Sequence, residues 1–192
     1  MRIFLAGASG VIGRRLVPLL VEAGHEVAGM TRSEERTGLL ASLGAFPVVC
    51  DVFDADGLSQ AVAACEPEMV MHQLTDLPDD PAQISAFLAA NARIRREGTA
   101  NLLAAASGAG ADRFLAQSVA WGIPGDGAAA VQEMERMVLD AGGVVVRYGQ
   151  FYGPGTYHAR PPEGPRIGLD DAARRTLDVL CAPSGTVELV DA

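Results

Sequence analysis

The chain has 192 residues, enough for one domain with a full core and too few for two. Apolar residues make up 49% and aromatics only 5%, the balance of a domain whose small aliphatic side chains pack helix against sheet. A net charge of −9 leaves no basic face to neutralise a phosphate backbone, which excludes nucleic acid as an expected partner.

The N-terminal residues show neither the charged head nor the cleavage site of a signal peptide, and no run approaches ~18 unbroken apolar residues. No membrane contact and a cytoplasmic location are therefore expected. Cys50, Cys65 and Cys181 lack metal-ligand spacing, so no metal site is expected either. All 15 cationic side chains are arginine. Without a lysine the chain has no ammonium group to form a Schiff base or to lower a neighbouring pKa.

Strand-like and helix-like segments alternate along the chain. Arg2 to Ala6 is an apolar strand that ends in Gly7. From Val11, helical spacing of Ile12, Leu16, Leu19, Leu20 and Ala23 predicts a helix capped by Gly24, with Pro18 as a possible kink. Glu26 to Met30 is a strand, and Ser33 with Glu34 and Glu35 opens a helix. Phe46 to Cys50 and Glu68 to Met71 are strands either side of a helix over Leu58 to Ala64.

Asp80 and Pro81 start a long helix that runs to about Ala106. A strand over Arg113 to Gln117, a helix over Ala128 to Ala141 and a strand over Val144 to Arg147 follow. Gly153 to Gly168 reads as an irregular loop, Leu169 to Leu180 as a helix and Thr186 to Val190 as a last strand. This alternation predicts α/β architecture: a single Rossmann-type domain over 1–192 with a doubly wound parallel sheet. Its nucleotide-binding half is expected at 1–118, with a reduced substrate-side portion at 119–192.

Residues Gly7-Ala8-Ser9-Gly10-Val11-Ile12-Gly13 lie between the first strand and the first helix. Gly7 permits the tight turn, Gly10 lets backbone approach a pyrophosphate and Gly13 lets helix and strand pack closely. The helix start supplies amide donors and a positive dipole end, so Gly7, Ser9, Gly10, Val11, Ile12 and Gly13 are expected to hold a nicotinamide dinucleotide. At the end of the second strand stands Arg32, where an acidic residue would select NAD. Arg32 is expected to pair with a 2′-phosphate, helped by Arg14 and Arg15, which makes NADP the expected cofactor and leaves NAD possible.

With these residues in view, the chain resembles the extended or atypical short-chain dehydrogenase/reductase superfamily, in its epimerase/dehydratase-like branch. The resemblance rests on GASGVIG, Asp51-Val52, Met71-His72-Gln73-Leu74-Thr75, Gly98-Thr99-Ala100-Asn101-Leu102-Leu103, Gln117-Ser118, Arg147 to Gly155 and Asp170-Asp171-Ala172-Ala173. It implies that Asp51 and Val52 contact the adenine, that Leu74 and Thr75 line the ribose and phosphate path, and that Tyr148 to Tyr152 lie near the nicotinamide. His72 would shape the sheet end.

The superfamily's usual acid is a tyrosine four residues before a lysine, the ammonium lowering the phenol pKa. Here the corresponding stretch, around Gly127 to Gln132, reads Gly-Ala-Ala-Ala-Val-Gln. Ser118 stands at the superfamily's serine position, and Tyr148 remains as a weak acid; these two are the catalytic candidates, with water or His158 as other proton sources. The link from Val119 to Gly127 is short, so Trp121, Tyr148, Phe151, Tyr152 and the loop to His158 would form a shallow pocket for a small-molecule substrate. A homodimer through the helices at 81–106 and 128–141 is expected. The functions left open are an oxidoreductase or epimerase-like enzyme, a non-redox isomerase, dehydratase or cyclase, and a non-catalytic NADP-sensing module.

Overall fold

A computed structural model describes residues 1–78 and 80–192. Its strands are β1 (Arg2–Ala6), β2 (Glu26–Thr31), β3 (Phe46–Val49), β4 (Met69–His72), β5 (Arg113–Val119), β6 (Val144–Tyr148), β7 (Gln150–Tyr152), β8 (Arg166–Gly168) and β9 (Gly185–Leu189). Its helices are α1 (Gly13–Glu22), α2 (Thr37–Ser42), α3 (Ala55–Cys65), α4 (Ile84–Arg93), α5 (Thr99–Gly108), α6 (Asp126–Asp140) and α7 (Leu169–Asp178).

Strands with a period of two send alternate side chains to opposite faces, and here both faces are apolar. Leu5, Met71, Leu115 and Val146 point to one side, where Leu16 and Leu20 of α1 and Leu169 and Ala173 of α7 cover them. Phe4, Val70, Ala116 and Val145 point to the other, under Leu58 and Val62 of α3, Leu102 of α5 and Val138 of α6. Each fully buried large aliphatic side chain stabilises the fold by ~1.5–3 kcal/mol. The sheet that results has seven parallel strands in the order β3-β2-β1-β4-β5-β6-β9. Its order reverses between β1 and β4, and a crevice outside the carboxyl ends of these strands is where such sheets bind ligands.

Several local features depart from simple periodicity. Pro18 lies inside α1, yet burial of Leu16, Val17 and Leu20 keeps the helix running over its ten residues. The helix expected from Ser33 begins as a 3₁₀ turn at Glu34–Arg36 before α2. α3 starts earlier than the apolar spacing indicates, because the Asp54 carboxylate accepts from Gly57 N and caps it.

The long helix expected at 81–106 comprises a 3₁₀ turn at Pro81–Gln83, α4, a π-helical turn at Ile94–Gly98, and α5. The wider π turn brings Ile94, Arg95 and Gly98 into the interior together, which an unbroken 3.6-residue period would not do. Part of the stretch expected to be irregular is held by a short parallel pair, β7 with β8.

Candidate cofactor and substrate site

The glycine loop leaves β1 at the reversal of strand order. Gly7 has φ of 90°, and a Cβ there would stand 2.6 Å from the Gln73 carbonyl oxygen. A Cβ on Gly13 would fall 2.2 Å from the Gly7 carbonyl oxygen, so only glycine lets α1 start against the loop. Gly10 N donates to Gly7 O at 3.0 Å and closes the turn. Ile12 is buried beneath it and Val11 partly so, while Ser9 ties the loop to β2 by donating to Thr31 Oγ1 at 3.1 Å. No side chain caps α1, and Arg14 and Arg15 stand in its first turn with no acidic residue. This is the cradle a pyrophosphate requires: close backbone, a bare helix N-terminus and positive charge.

Beyond the loop, Arg32 is exposed at the end of β2 and pairs with Asp76 at 3.2 Å. A second arginine, Arg36, donates to the Ser9 carbonyl at 3.3 Å and so reaches the loop itself. Sequence reasoning missed Arg36, although its spacing of four from Arg32 was the signal. Asp51 is exposed after β3, its carboxylate accepting from Phe53 N at 3.0 Å. Val52 is buried and its carbonyl accepts from Asn101 Nδ2 at 2.9 Å.

Leu74 is held from both sides: its N–H donates to His72 Nδ1 at 3.2 Å and its carbonyl accepts from Gln117 Nε2 at 3.1 Å. Thr75 beside it is exposed. Gln73 is buried against the glycine loop and faces the Tyr148 hydroxyl, but neither atom of its amide closes a hydrogen bond of good geometry. The cradle that a Cβ would fill, with the bare N-terminus of α1, fits a bound dinucleotide.

Polar groups farther along the same edge are engaged with one another. Tyr148 is 2% exposed, and its hydroxyl shares a hydrogen bond of 2.7 Å with Thr176 Oγ1 on α7. Burial pushes its phenol up to about 12. Tyr148 thus faces the core between sheet and α7 rather than an open pocket, an arrangement that suits a structural hydroxyl better than a proton donor. Ser118 is buried on the opposite face and donates to Glu135 Oε1 at 2.6 Å. Glu135, on α6, also takes a two-point contact from Arg147, Nε at 2.8 Å and Nη2 at 2.5 Å. Burial works to raise the Glu135 carboxyl, but the bonds from Arg147 and Ser118 outweigh it and hold it below its ordinary value.

His72 is fully engaged. Nδ1 accepts from Leu74 N–H, so Nε2 carries the proton and donates to Thr99 Oγ1 at 3.0 Å. Burial, with Arg95 nearby, lowers its pKa to about 3. The sequence reading did not single out Glu135 or Arg95. A glutamate adjoining the apolar row Ala130, Met134 and Val138, together with a lone arginine in the strand Val-Val-Val-Arg-Tyr, was the available clue. In the expected pocket, Trp121 and Phe151 are partly exposed and Tyr152 donates to Asp191 at 2.9 Å. Among the described residues the His158 ring makes no hydrogen bond, though its carbonyl accepts from Gly153 N at 2.8 Å. A cleft of about 200 Å³ opens between Val11, Arg14 and Arg15 and the facing Pro154, Gly155 and Leu169.

Residues 7–142 match the family model described as NAD(P)H-binding. The chain belongs to this NAD(P)H-binding family. It is 42% identical over 187 residues to the 3-diazoavenalumate denitrifying reductase of a Streptomyces species, a match covering 83% of this chain and 59% of that protein. The chain therefore spans about three-fifths of that relative's length. It is 33% identical over 115 residues to the 4-hydroxy-2-methyl-3-oxo-4-farnesyl-3,4-dihydroquinoline-1-oxide ketoreductase of Stigmatella aurantiaca, covering 60% of this chain and 32% of that one. In fold it is similar to the Thermus thermophilus UDP-glucose 4-epimerase in complex with NAD, with a TM-score of 0.81 and 19% identity over 99% of this chain and 78% of the epimerase. The epimerase-like α/β fold and a nicotinamide cofactor, both expected from the sequence, are thus shown.

Proposed function

We propose that this family member is an atypical NADP(H)-dependent reductase whose small organic substrate accepts hydride without a proton from a protein acid. The observation that carries this reading is the contrast between an intact glycine cradle and the committed hydroxyls beyond it, Ser118 on Glu135 and Tyr148 on Thr176. When bound in its reduced form, the nicotinamide dinucleotide supplies the hydride. Gly7, Ser9, Gly10, Val11, Ile12 and Gly13 hold its pyrophosphate, Asp51 and Val52 border the adenine, and Leu74 and Thr75 line the ribose path. Arg32, with Arg36 behind it, receives the 2′-phosphate and gives NADP its preference over NAD.

Reduction of a carbonyl needs a proton for the new alkoxide, and a phenol at about 12 yields one slowly near neutral pH. An arene diazonium ion needs none. Hydride supplies the electron pair of the new C–H bond, dinitrogen leaves with the pair of the C–N bond, and the positive charge is discharged. The denitrifying reductase named above makes this substrate class the natural one to try. We further place the protein in the cytoplasm as a homodimer through α4, α5 and α6, where Leu88 and Leu139 are exposed apolar side chains.

The test follows loss of NADPH absorbance, against enzyme-free controls, with the diazonium acid made from 3-amino-4-hydroxybenzoate and with a panel of ketones and enones. Expected is consumption with the diazonium acid only, with one dinitrogen and one 4-hydroxybenzoate formed per NADPH, several-fold slower with NADH. Ketone reduction at equal rate would overturn the proton-free reading, and His158→Gln and Tyr148→Phe would then locate the acid. Tight NADPH binding with no turnover would favour a sensing module, and turnover that leaves NADPH unconsumed a non-redox enzyme. Light scattering at micromolar concentration checks the dimer, which a monomer would refute.

A further inference from the structure

Arg95 stands in the π-helical turn with 9% of its surface exposed. Among the described residues it makes no hydrogen bond and no ion pair. Its acidic neighbour is Glu135, whose carboxylate is already occupied by the two-point contact from Arg147 and by Ser118. The other group facing it, His72, is neutral and has both ring nitrogens engaged. Glu188 beside Arg147 is exposed to water and does not offset the buried charge. The cluster formed by Glu135, Arg147 and Arg95 therefore holds one positive charge in excess.

A buried cation without a partner destabilises a fold, so it persists where a ligand supplies the counter-charge. None of the atoms of Arg95 is both sealed from solvent and unbonded, as the amide of Gln73 is, so the guanidinium head keeps contact with solvent while its stem lies in the core. The head lies near His72 and Glu135, at the carboxyl ends of β4 and β5.

We infer that Arg95 is the anchor of a substrate subsite for a singly charged carboxylate, the acid group of a small organic acid reduced at the adjoining nicotinamide position. The geometry of the residue favours this chemistry. A guanidinium fork matches a planar carboxylate with two parallel N–H···O bonds. One excess positive charge balances a monoanion, whereas a doubly charged phosphate would meet the Glu135 carboxylate close by. The inference rests on reading this sheet edge as the substrate site, but not on which group accepts the hydride.

Calorimetry on protein saturated with NADP⁺ tests it, with 4-hydroxycinnamate and its uncharged amide as probes. The acid should bind at least tenfold more tightly than the amide. Arg95→Met should remove that difference and leave Tm equal or higher, because an uncompensated charge has been replaced by an apolar chain of similar length. Arg95→Lys is the second variant, and with the charge kept it should hold acid binding within about fivefold of the parent. Equal binding of acid and amide to the parent, or discrimination that survives in Arg95→Met, would overturn the proposal. So would equal losses in both variants, which would assign the effect to altered packing. Binding is measured without turnover, so failure here and failure of the reductase reading are separate results.

Discussion

The carboxyl ends of β1 to β4 and those of β5 and β6 lie on one edge of one sheet but present opposite kinds of surface. At the first, backbone is bare and arginines gather: the glycine loop, the uncapped start of α1, and Arg14, Arg15, Arg32 and Arg36 around it, Arg15 and Arg32 held by surface ion pairs with Asp170 and Asp76. At the second, side chains answer one another, Ser118 and Arg147 on Glu135, Tyr148 on Thr176. Nucleotide binding depends on backbone shape, which glycines preserve whatever the neighbouring residues become. Proton transfer depends on a particular side chain with a tuned pKa, which a chain of arginines without lysine has no ammonium to tune. The two capacities can therefore part within one domain.

The largest effect that would sharpen this contrast comes from His72, which sits between the two regions. Its folded pKa of about 3 lies below its ordinary 6.5, so below pH 6.5 the unfolded chain holds a proton that the folded chain does not. Stability is then full above pH 6.5 and falls by roughly 1.4 kcal/mol per pH unit as pH drops towards 3. Urea unfolding between pH 4.5 and 6.5 should show that slope, and His72→Gln should remove it. A variant with the parent's slope would place the acid sensitivity elsewhere.

Next in size, Glu135→Gln leaves Arg147 and Arg95 without a counter-charge and should cost about 2–4 kcal/mol in denaturant unfolding, below the value for a fully buried pair because Arg147 is partly exposed. NADPH affinity should stay within about twofold, since no part of the cradle touches Glu135. A large loss of NADPH binding would mean that the two regions are not separable. Gly13→Ala breaks the cradle from the other side. The added Cβ would meet the Gly7 carbonyl at 2.2 Å, and the shift this forces should cost about 1–3 kcal/mol of stability. Cofactor affinity should fall by a comparable factor, about 10–100-fold in fluorescence titration. Unchanged NADPH affinity would refute the loop as the pyrophosphate site.

The smallest expected effect is Tyr148→Phe. Removing the hydroxyl shared with Thr176 should cost about 1 kcal/mol in stability. Turnover of the diazonium acid should change less than twofold. A hundredfold fall in kcat with unchanged stability would instead restore Tyr148 as the acid, that being the scale of losing one positioned proton donor.

The sequence by itself determined the succession of strands and helices, the glycine cradle and the want of a phenol–ammonium pair. Each is a local property: periods of two and 3.6 are read over a few residues, glycines are required where β1 meets α1, and a missing residue type needs no coordinates. Its six leading strands were legible to within a residue or two for the same reason.

Only the tertiary structure decided which polar groups are free. Glu135 meets Ser118 and Arg147 across 17 and 12 residues, Tyr148 meets Thr176 across 28, and no local pattern encodes such pairings. The run Arg93 to Arg96 shows three arginines at helical positions, and it takes the π turn to show that Arg95 is the one turned inward. Periodicity assigns a residue to a face, but the partner across that face is set by how helices and strands pack, and the state of a polar group depends on that partner.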